Sequence, residues 1–224
     1  MTYSLIIPIY NEIRTLPLLL KKLKELDDKI EIIIIDDGSN DGSSKILINN
    51  KKIKVINNRV NLGKGASIKK GLKFATKQNL ILMDGDLEID IEDIPRLITE
   101  YEKKERDILV GIRWKKNDKI SSDVNILGNH LINSFFNFLF KSNLNDILCC
   151  VKIIDKKLFT ALNIQSKGFS IESEIMSKIM LLKLSIKESR INYTRRTIEE
   201  GKKIKISDSL VIIWVMIKTR ILGI

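Results

Sequence analysis

The chain is predicted to fold as an α/β domain on a mainly parallel sheet covered by helices on both faces. Three observations carry that expectation. Short apolar runs alternate five times with segments of helical spacing. The runs lack the in-and-out alternation of a half-exposed strand, so both of their faces are buried. The unusual polar residues sit where the runs end, which is where open parallel sheets bind ligands.

The elements follow in order. Tyr3–Ile9 reads as a buried strand, and residues 16–26 place apolar side chains at helical spacing with lysines between them. Residues 30–35 are a second buried strand, ended by the loop Asp36-Asp37-Gly38-Ser39-Asn40-Asp41-Gly42. A third strand spans 53–56, followed by a glycine-punctuated turn and a helix from about 65 to 75. Residues 80–83 form a fourth strand ending at Asp84; 94–101 are helical and 108–110 strand-like. The second half is less regular. Helices are expected over 127–140, with Phe135, Phe136, Phe138 and Phe140, and over 171–182, and a strand over 184–193. Residues 210–217 are eight apolar residues closed by Lys218 and Arg220. No linker divides the 224 residues, so one domain (1–224) is expected, with halves 1–113 and 114–224 and an amphipathic C-terminal helical extension.

Composition narrows the partners. A net charge of +11 favours acidic ones. Nine Lys or Arg and no acid lie between 51 and 77, whereas 84 to 107 hold ten acids against four bases. That succession suits a site gripping phosphates and a cation together. Cys149 and Cys150 are adjacent and form no ordinary disulfide with each other, which fits a reducing, cytoplasmic setting. No signal peptide is visible and no apolar run approaches the ~20 residues that cross a bilayer, so an integral membrane protein is not expected. One histidine, His130, in an aromatic-rich segment reads as surface or packing, and argues with the adjacent cysteines against a zinc site or a Ser/His/Asp triad. No nucleic acid is expected, because the aromatics lie in apolar runs rather than between cations.

Asp84-Gly85-Asp86 follows a buried strand directly, so two carboxylates can converge on one hard cation such as Mg²⁺ or Mn²⁺ and leave positions for phosphate oxygens. Asp36 and Asp37 can accept hydrogen bonds from a ribose or base, or form a turn that ends the strand. Asn61-Leu62-Gly63-Lys64-Gly65 precedes a helix, so its amides and the Lys64 ammonium can face phosphate, or simply start the helix. Neither a Walker A loop nor a Gly-x-Gly-x-x-Gly fingerprint after the first strand is present.

In this order the motifs resemble glycosyltransferase family 2, and within it the dolichyl- or polyprenyl-phosphate sugar synthases. They are Ile7-Pro8-Ile9-Tyr10-Asn11-Glu12, Ile35-Asp36-Asp37-Gly38-Ser39, Asn61-Leu62-Gly63-Lys64-Gly65 and Leu82-Met83-Asp84-Gly85-Asp86-Leu87-Glu88. Val110-Gly111-Ile112-Arg113, Gly168-Phe169-Ser170-Ile171-Glu172 and Tyr193-Thr194-Arg195-Arg196-Thr197 continue the match. The resemblance implies a GT-A fold and inverting, metal-dependent transfer of a hexose from a GDP- or UDP-sugar to polyprenyl or dolichyl phosphate. Pro8, Tyr10, Glu12, Asp36, Asp37, Lys64, Asp84 and Gly85 would then bind the nucleotide-sugar. Asp84, Asp86 and Glu88 would hold the metal, with Glu88 standing where many relatives carry Gln. Arg113, Arg195, Arg196 and Lys203 would face phosphates, and Asp86 and Arg113 are catalytic candidates. Cys150 stands where relatives often have Gly.

A lipid phosphate is already ionised at neutral pH and needs little general-base help. A glycan or other hydroxyl acceptor would need a base, for which Glu172 or Glu174 is available. The aromatic helix and the Trp214 segment with its flanking Lys and Arg favour the lipid and a peripheral contact on the cytoplasmic face of a membrane. Core or subunit packing is the competing use of both.

Overall fold

The computed structural model describes residues 2–47, 52–103, 105–115, 118, 124–196 and 206–223. Seven strands form one sheet: β1 (Tyr3–Ile9), β2 (Ile30–Asp36), β3 (Ile53–Asn57), β4 (Asn79–Leu82), β5 (Ile108–Ile112), β6 (Lys152–Asp155) and β7 (Ile186–Arg190). The helices are α1 (Leu16–Lys24), α2 (Ser43–Leu47), α3 (Lys64–Phe74), α4 (Ile94–Glu102), α5 (Val124–Phe140), α6 (Lys156–Ala161), α7 (Ile171–Leu181) and α8 (Ile206–Leu222). Strand order is β3-β2-β1-β4-β6-β5-β7. All pairings are parallel except the two made by β6, which runs antiparallel between β4 and β5.

Isoleucine-rich strands suit a sheet buried on both faces, since β-branched side chains pack well on a pleated surface. Along β1, Leu5 and Ile7 point to one layer and Ile6 to the other. The first layer takes Leu16, Leu19 and Leu23 from α1 and Ile94 and Leu97 from α4. The second takes Ile68 from α3, Phe136 from α5, Phe159 from α6, Ile175 from α7 and Ile212 from α8. Pro17 in the first turn of α1 and lysines in its last turn match the needs of helix ends. Asp155 caps α6 by accepting from the amides of Lys157 and Leu158.

The strands and long helices expected from the sequence are present, with ends shifted by a few residues. The inserted strand β6 and the short helices α2 and α6 were not anticipated. No helix among the described residues is long and apolar enough to cross a membrane.

Two features of this frame position the site. The chain leaves β1 toward β2 and β3 on one side and then returns to place β4 on the other, so the strand order reverses between the parallel neighbours β1 and β4. β4 also stops early: it pairs with β1 only as far as Ile6, whereas β1 continues beside β2 to Ile9. The Ile6 carbonyl accepts from the Met83 amide on the β4 side and that of Ile9 from Asp37 on the β2 side. Pro8, two residues beyond Ile6, therefore faces the side where β4 has ended, and its missing N–H leaves no ladder bond unmade. Open α/β sheets take their ligands in the crevice at such a point.

Candidate active site

The Asp84-Gly85-Asp86 turn crosses that crevice and lies directly against β1. A Cβ on Gly85 would come within 2.5 Å of Ile9 Cγ2 and 2.9 Å of Ile7 Cγ2, so only glycine allows the approach. Leu87 then adopts φ +62°, a left-handed conformation costly for an apolar side chain, while the Glu88 amide donates to Asp86 Oδ1 at 3.1 Å.

Each carboxylate of the turn meets a cation from a distant segment. Lys64, at the start of α3, reaches both oxygens of Asp84 at 2.8 and 2.9 Å and Glu172 Oε1 at 2.8 Å. Burial opposes the charge on Lys64, but Asp84 and Glu172 outweigh it and hold its pKa well above the ordinary value. Arg196 bridges Glu12, at 2.8 Å, and Asp86, at 3.3 Å. The segment carrying it is fixed along the 88–89 backbone: Ile89 bridges Tyr193, the Thr194 amide donates to the Glu88 carbonyl, and the Arg196 amide donates to Glu88 Oε1. Burial and then the neighbouring Asp84 push the Asp86 pKa up to about 7, with Arg196 pulling the other way.

Two carboxylates forced together in this way suit a hard divalent cation, which would relieve their repulsion. Among the described residues no three His, Cys, Asp or Glu side chains are gathered to make a protein-only cage. An ion here would complete its shell from elsewhere, as Mg²⁺ does with substrate phosphates.

The acidic pair after β2 is engaged locally. Asp36 accepts from the Ser39 amide at 2.9 Å and from the Ser44 hydroxyl. Asp37 accepts from the Leu62 and Gly63 amides, at 3.0 and 2.8 Å, and from Asn58 Nδ2 at 2.6 Å. The amides expected to face a phosphate therefore hold Asp37, and only Lys64 of that loop reaches the carboxylate turn. Gly63 makes this path with φ +94°, in a space where a Cβ would lie 2.5 Å from the Lys167 carbonyl oxygen. Glu12 receives the Thr15 hydroxyl and, at its own amide, donates to Ser43 Oγ. Pro8 and Tyr10 are half-buried at the crevice end of β1.

The two glutamates of α7, indistinguishable in the sequence, part company here. Glu172 points into the cation–carboxylate cluster, where Lys152 takes its second oxygen. Glu174 points away, accepting from the Gln165 and Ser166 amides and pairing with Lys178 at 2.8 Å. Arg113 stands apart from the metal candidates. Its guanidinium makes a two-point pair with Asp146, at 2.8 and 2.9 Å, 4.2 Å above the Trp114 ring and 5.4 Å from that of Tyr193. His130 packs 4.9 Å from Trp114. Arg195 is half-buried beside these groups, and Lys203 lies outside the described residues. Asp146, Lys152 and Ser43 were not singled out in the sequence. None carries a local signature, and only the pairing of remote segments brings them in.

On the second helical layer, α5 and α8 lie side by side, with Arg220 5.7 Å from the Phe140 ring. Leu127, Leu131 and Phe138 line the outer face of α5, and Leu210, Trp214 and Ile221 that of α8. Phe138 is 83% exposed and Trp214 63%.

Comparison with known proteins gives a consistent set of likenesses. The family profile described as Glycosyl transferase family 2 matches residues 4–162. A dodecaprenyl-phosphate galacturonate synthase of Rhizobium johnstonii is 30% identical over 67% of this chain and 46% of its own length. A dolichyl-phosphate beta-glucosyltransferase of Dictyostelium discoideum is 27% identical over 85% of this chain and 66% of its own. The matched stretch thus spans about half to two thirds of these relatives. Among solved structures, glucosyl-3-phosphoglycerate synthase from Mycobacterium tuberculosis, in complex with UDP, superposes with a TM-score of 0.76 at 17% identity, over 99% of this chain and 79% of the other. The shared architecture is the GT-A-like α/β fold.

Gly85→Ala is expected to force the turn away from β1. Overpacking of this kind costs ~1–3 kcal/mol, to be read from urea unfolding, and nucleotide binding should weaken alongside. Unchanged stability and binding would show that the close approach is unimportant.

Proposed function

Because the chain belongs to glycosyl transferase family 2, we propose that it transfers a hexose from a GDP- or UDP-sugar to a polyprenyl or dolichyl phosphate, with inversion, at the surface of a membrane. The observation that carries the reading is the Asp84-Gly85-Asp86 turn in the β1/β4 crevice, with Lys64 and Arg196 reaching it from opposite segments. The names of the two relatives above, both lipid-phosphate sugar transferases, support the acceptor class.

Asp84 and Asp86 would hold Mg²⁺ or Mn²⁺; Glu88, expected as a third ligand, accepts from the Arg196 amide and is not gathered with them into a three-ligand group among the described residues. The ion supplies positive charge to a departing nucleoside diphosphate. Lys64 and Arg196 are within reach to take diphosphate oxygens as well, adding fixed positive charge where negative charge develops. Asp36 and Asp37 shape the loops beside β1, and with Pro8, Tyr10 and Glu12 they would line the place of the nucleoside. Arg113 spends two of its donors on the buried Asp146 and is stacked on Trp114, so it would offer a phosphate only its remaining donors, with Arg195 and Lys203 adding positive charge. A monoester phosphate has its second pKa near 6, so the attacking oxygen arrives without its proton and no general base is required. The hydroxyl-acceptor alternative would need Glu172 or Glu174 as base, and both carry ammonium partners on their carboxylates.

The outward apolar faces of α5 and α8 supply a place for the lipid end. Monomeric soluble proteins rarely leave such contiguous apolar surface uncovered. The exposed cations Lys141, Lys218 and Arg220 near it would be drawn to anionic headgroups. We assign this contact to the cytoplasmic face of the membrane, a compartment in which free thiols such as Cys149 and Cys150 persist.

Incubating the purified chain with Mn²⁺ or Mg²⁺, a short polyprenyl phosphate and labelled GDP- and UDP-sugars in turn should move label into the organic phase, and EDTA should stop it. Asp86→Ala should abolish that transfer with the fold retained by circular dichroism; near-normal turnover would remove the metal assignment. Phe138→Asp combined with Trp214→Asp should release the chain from sedimenting vesicles of phosphatidylglycerol while nucleotide binding persists. Undiminished sedimentation would dismiss the α5/α8 surface as the membrane contact.

A further inference from the structure

Lys152 carries a charge that the packing of its strand does not require. It is fully buried at the start of β6, in register with Leu82 of β4 and Val110 of β5. An apolar side chain of similar length would fill this position without the cost of stripping water from an ammonium. Because β6 runs antiparallel to β4, it begins at the edge where β4 ends, so Lys152 lies beneath the carboxylate turn.

Among the described residues its ammonium has two partners, the Cys149 carbonyl oxygen at 2.5 Å and Glu172 Oε2. The other oxygen of Glu172 meets Lys64 at 2.8 Å, and Lys64 in turn meets Asp84. Charge alternates along the chain Lys152–Glu172–Lys64–Asp84. With both Glu172 oxygens free, Lys64 would have a stronger competitor for its ammonium than it has now, and would be drawn off Asp84.

We infer that Lys152 is a positioning residue for donor binding: it occupies one oxygen of Glu172 so that the other fixes Lys64 over the carboxylate turn, where the donor diphosphate would lie. The inference rests on the donor site proposed above. Lys152 touches neither nucleotide nor metal in this arrangement and acts through Glu172. Its influence must therefore vanish when Glu172 can no longer hold Lys64 by charge, a non-additivity that a simple packing role would not produce.

The test is calorimetric titration of UDP and GDP, with Mn²⁺ and no acceptor, into the wild-type chain, Lys152→Met, Glu172→Gln and the double variant, with thermal unfolding measured on each. Lys152→Met should bind the preferred nucleotide roughly tenfold more weakly, a coupling of about 1.4 kcal/mol, and unfold at a lower Tm than the wild type, because Glu172 Oε2 is left buried without its partner. The double variant should bind no more weakly than Glu172→Gln alone. Wild-type affinity in Lys152→Met, or a further tenfold loss in the double variant, would overturn the inference. Should Lys152→Met fail to fold, Lys152→Gln, which still donates to the Cys149 carbonyl, should show the same loss, and wild-type affinity there would overturn it equally. If the wild-type chain binds neither nucleotide, the donor site itself is refuted and this inference with it. Normal wild-type binding with an unaffected Lys152→Met refutes the positioning role alone.

Discussion

The contact on which the rest of the site depends is the seating of Gly85 against Ile7 and Ile9 at the end of β1. It requires β4 to stop while β1 runs on, and it requires a residue in β1 that loses nothing when its neighbour ends, which Pro8 supplies. Only then do Asp84 and Asp86 lie at the point where the strand order reverses. A side chain at position 85 would lift both carboxylates away from Lys64 and Arg196 together.

Bringing two carboxylates into one partly buried turn raises an electrostatic problem that the surrounding chain resolves from far away in sequence. Lys64 comes from the start of α3, Glu172 from α7, Lys152 from β6 and Arg196 from the segment running along residues 88–89. Asp37 contributes indirectly, holding the Leu62 and Gly63 amides and hence the loop that delivers Lys64. Paired charges in such a cluster are poor sources of net stability, since desolvation offsets much of their attraction. Their value lies in presenting fixed positive charge around a site that would receive a metal ion and a diphosphate.

Much of the first half was legible in the sequence because its signals are local. Isoleucine runs such as 32–35 have no competing reading, and the polar residues that stop them, Asp36, Asp37 and Asp84, are the ones the sheet places at its carboxyl edge. The second half was less legible for a physical reason. At the start of β6, Lys152 interrupts the apolar run from Cys149 to Ile154, and its burial is matched by the Cys149 carbonyl and by Glu172, which is remote in sequence. Asp146 likewise gains its meaning from Arg113, more than thirty residues earlier. Glu172 and Glu174 look alike on a helical wheel and separate only through what the 163–168 loop and β6 place beside each. Lys203, named from the family resemblance, lies outside the described residues and stays an expectation.

The central claim is that the carboxylate turn and the two cations over it form one site for a metal ion and a nucleoside diphosphate. The most direct test is titration of Mn²⁺ into the wild-type chain, alone and with saturating UDP or GDP. The ion alone is expected to bind weakly, because Lys64 and Arg196 already hold the carboxylates. One of the nucleotides should tighten it by about tenfold or more, with the ion strengthening that nucleotide by the same factor. Equal Mn²⁺ affinity with and without either nucleotide, or nucleotide binding indifferent to EDTA, would contradict it.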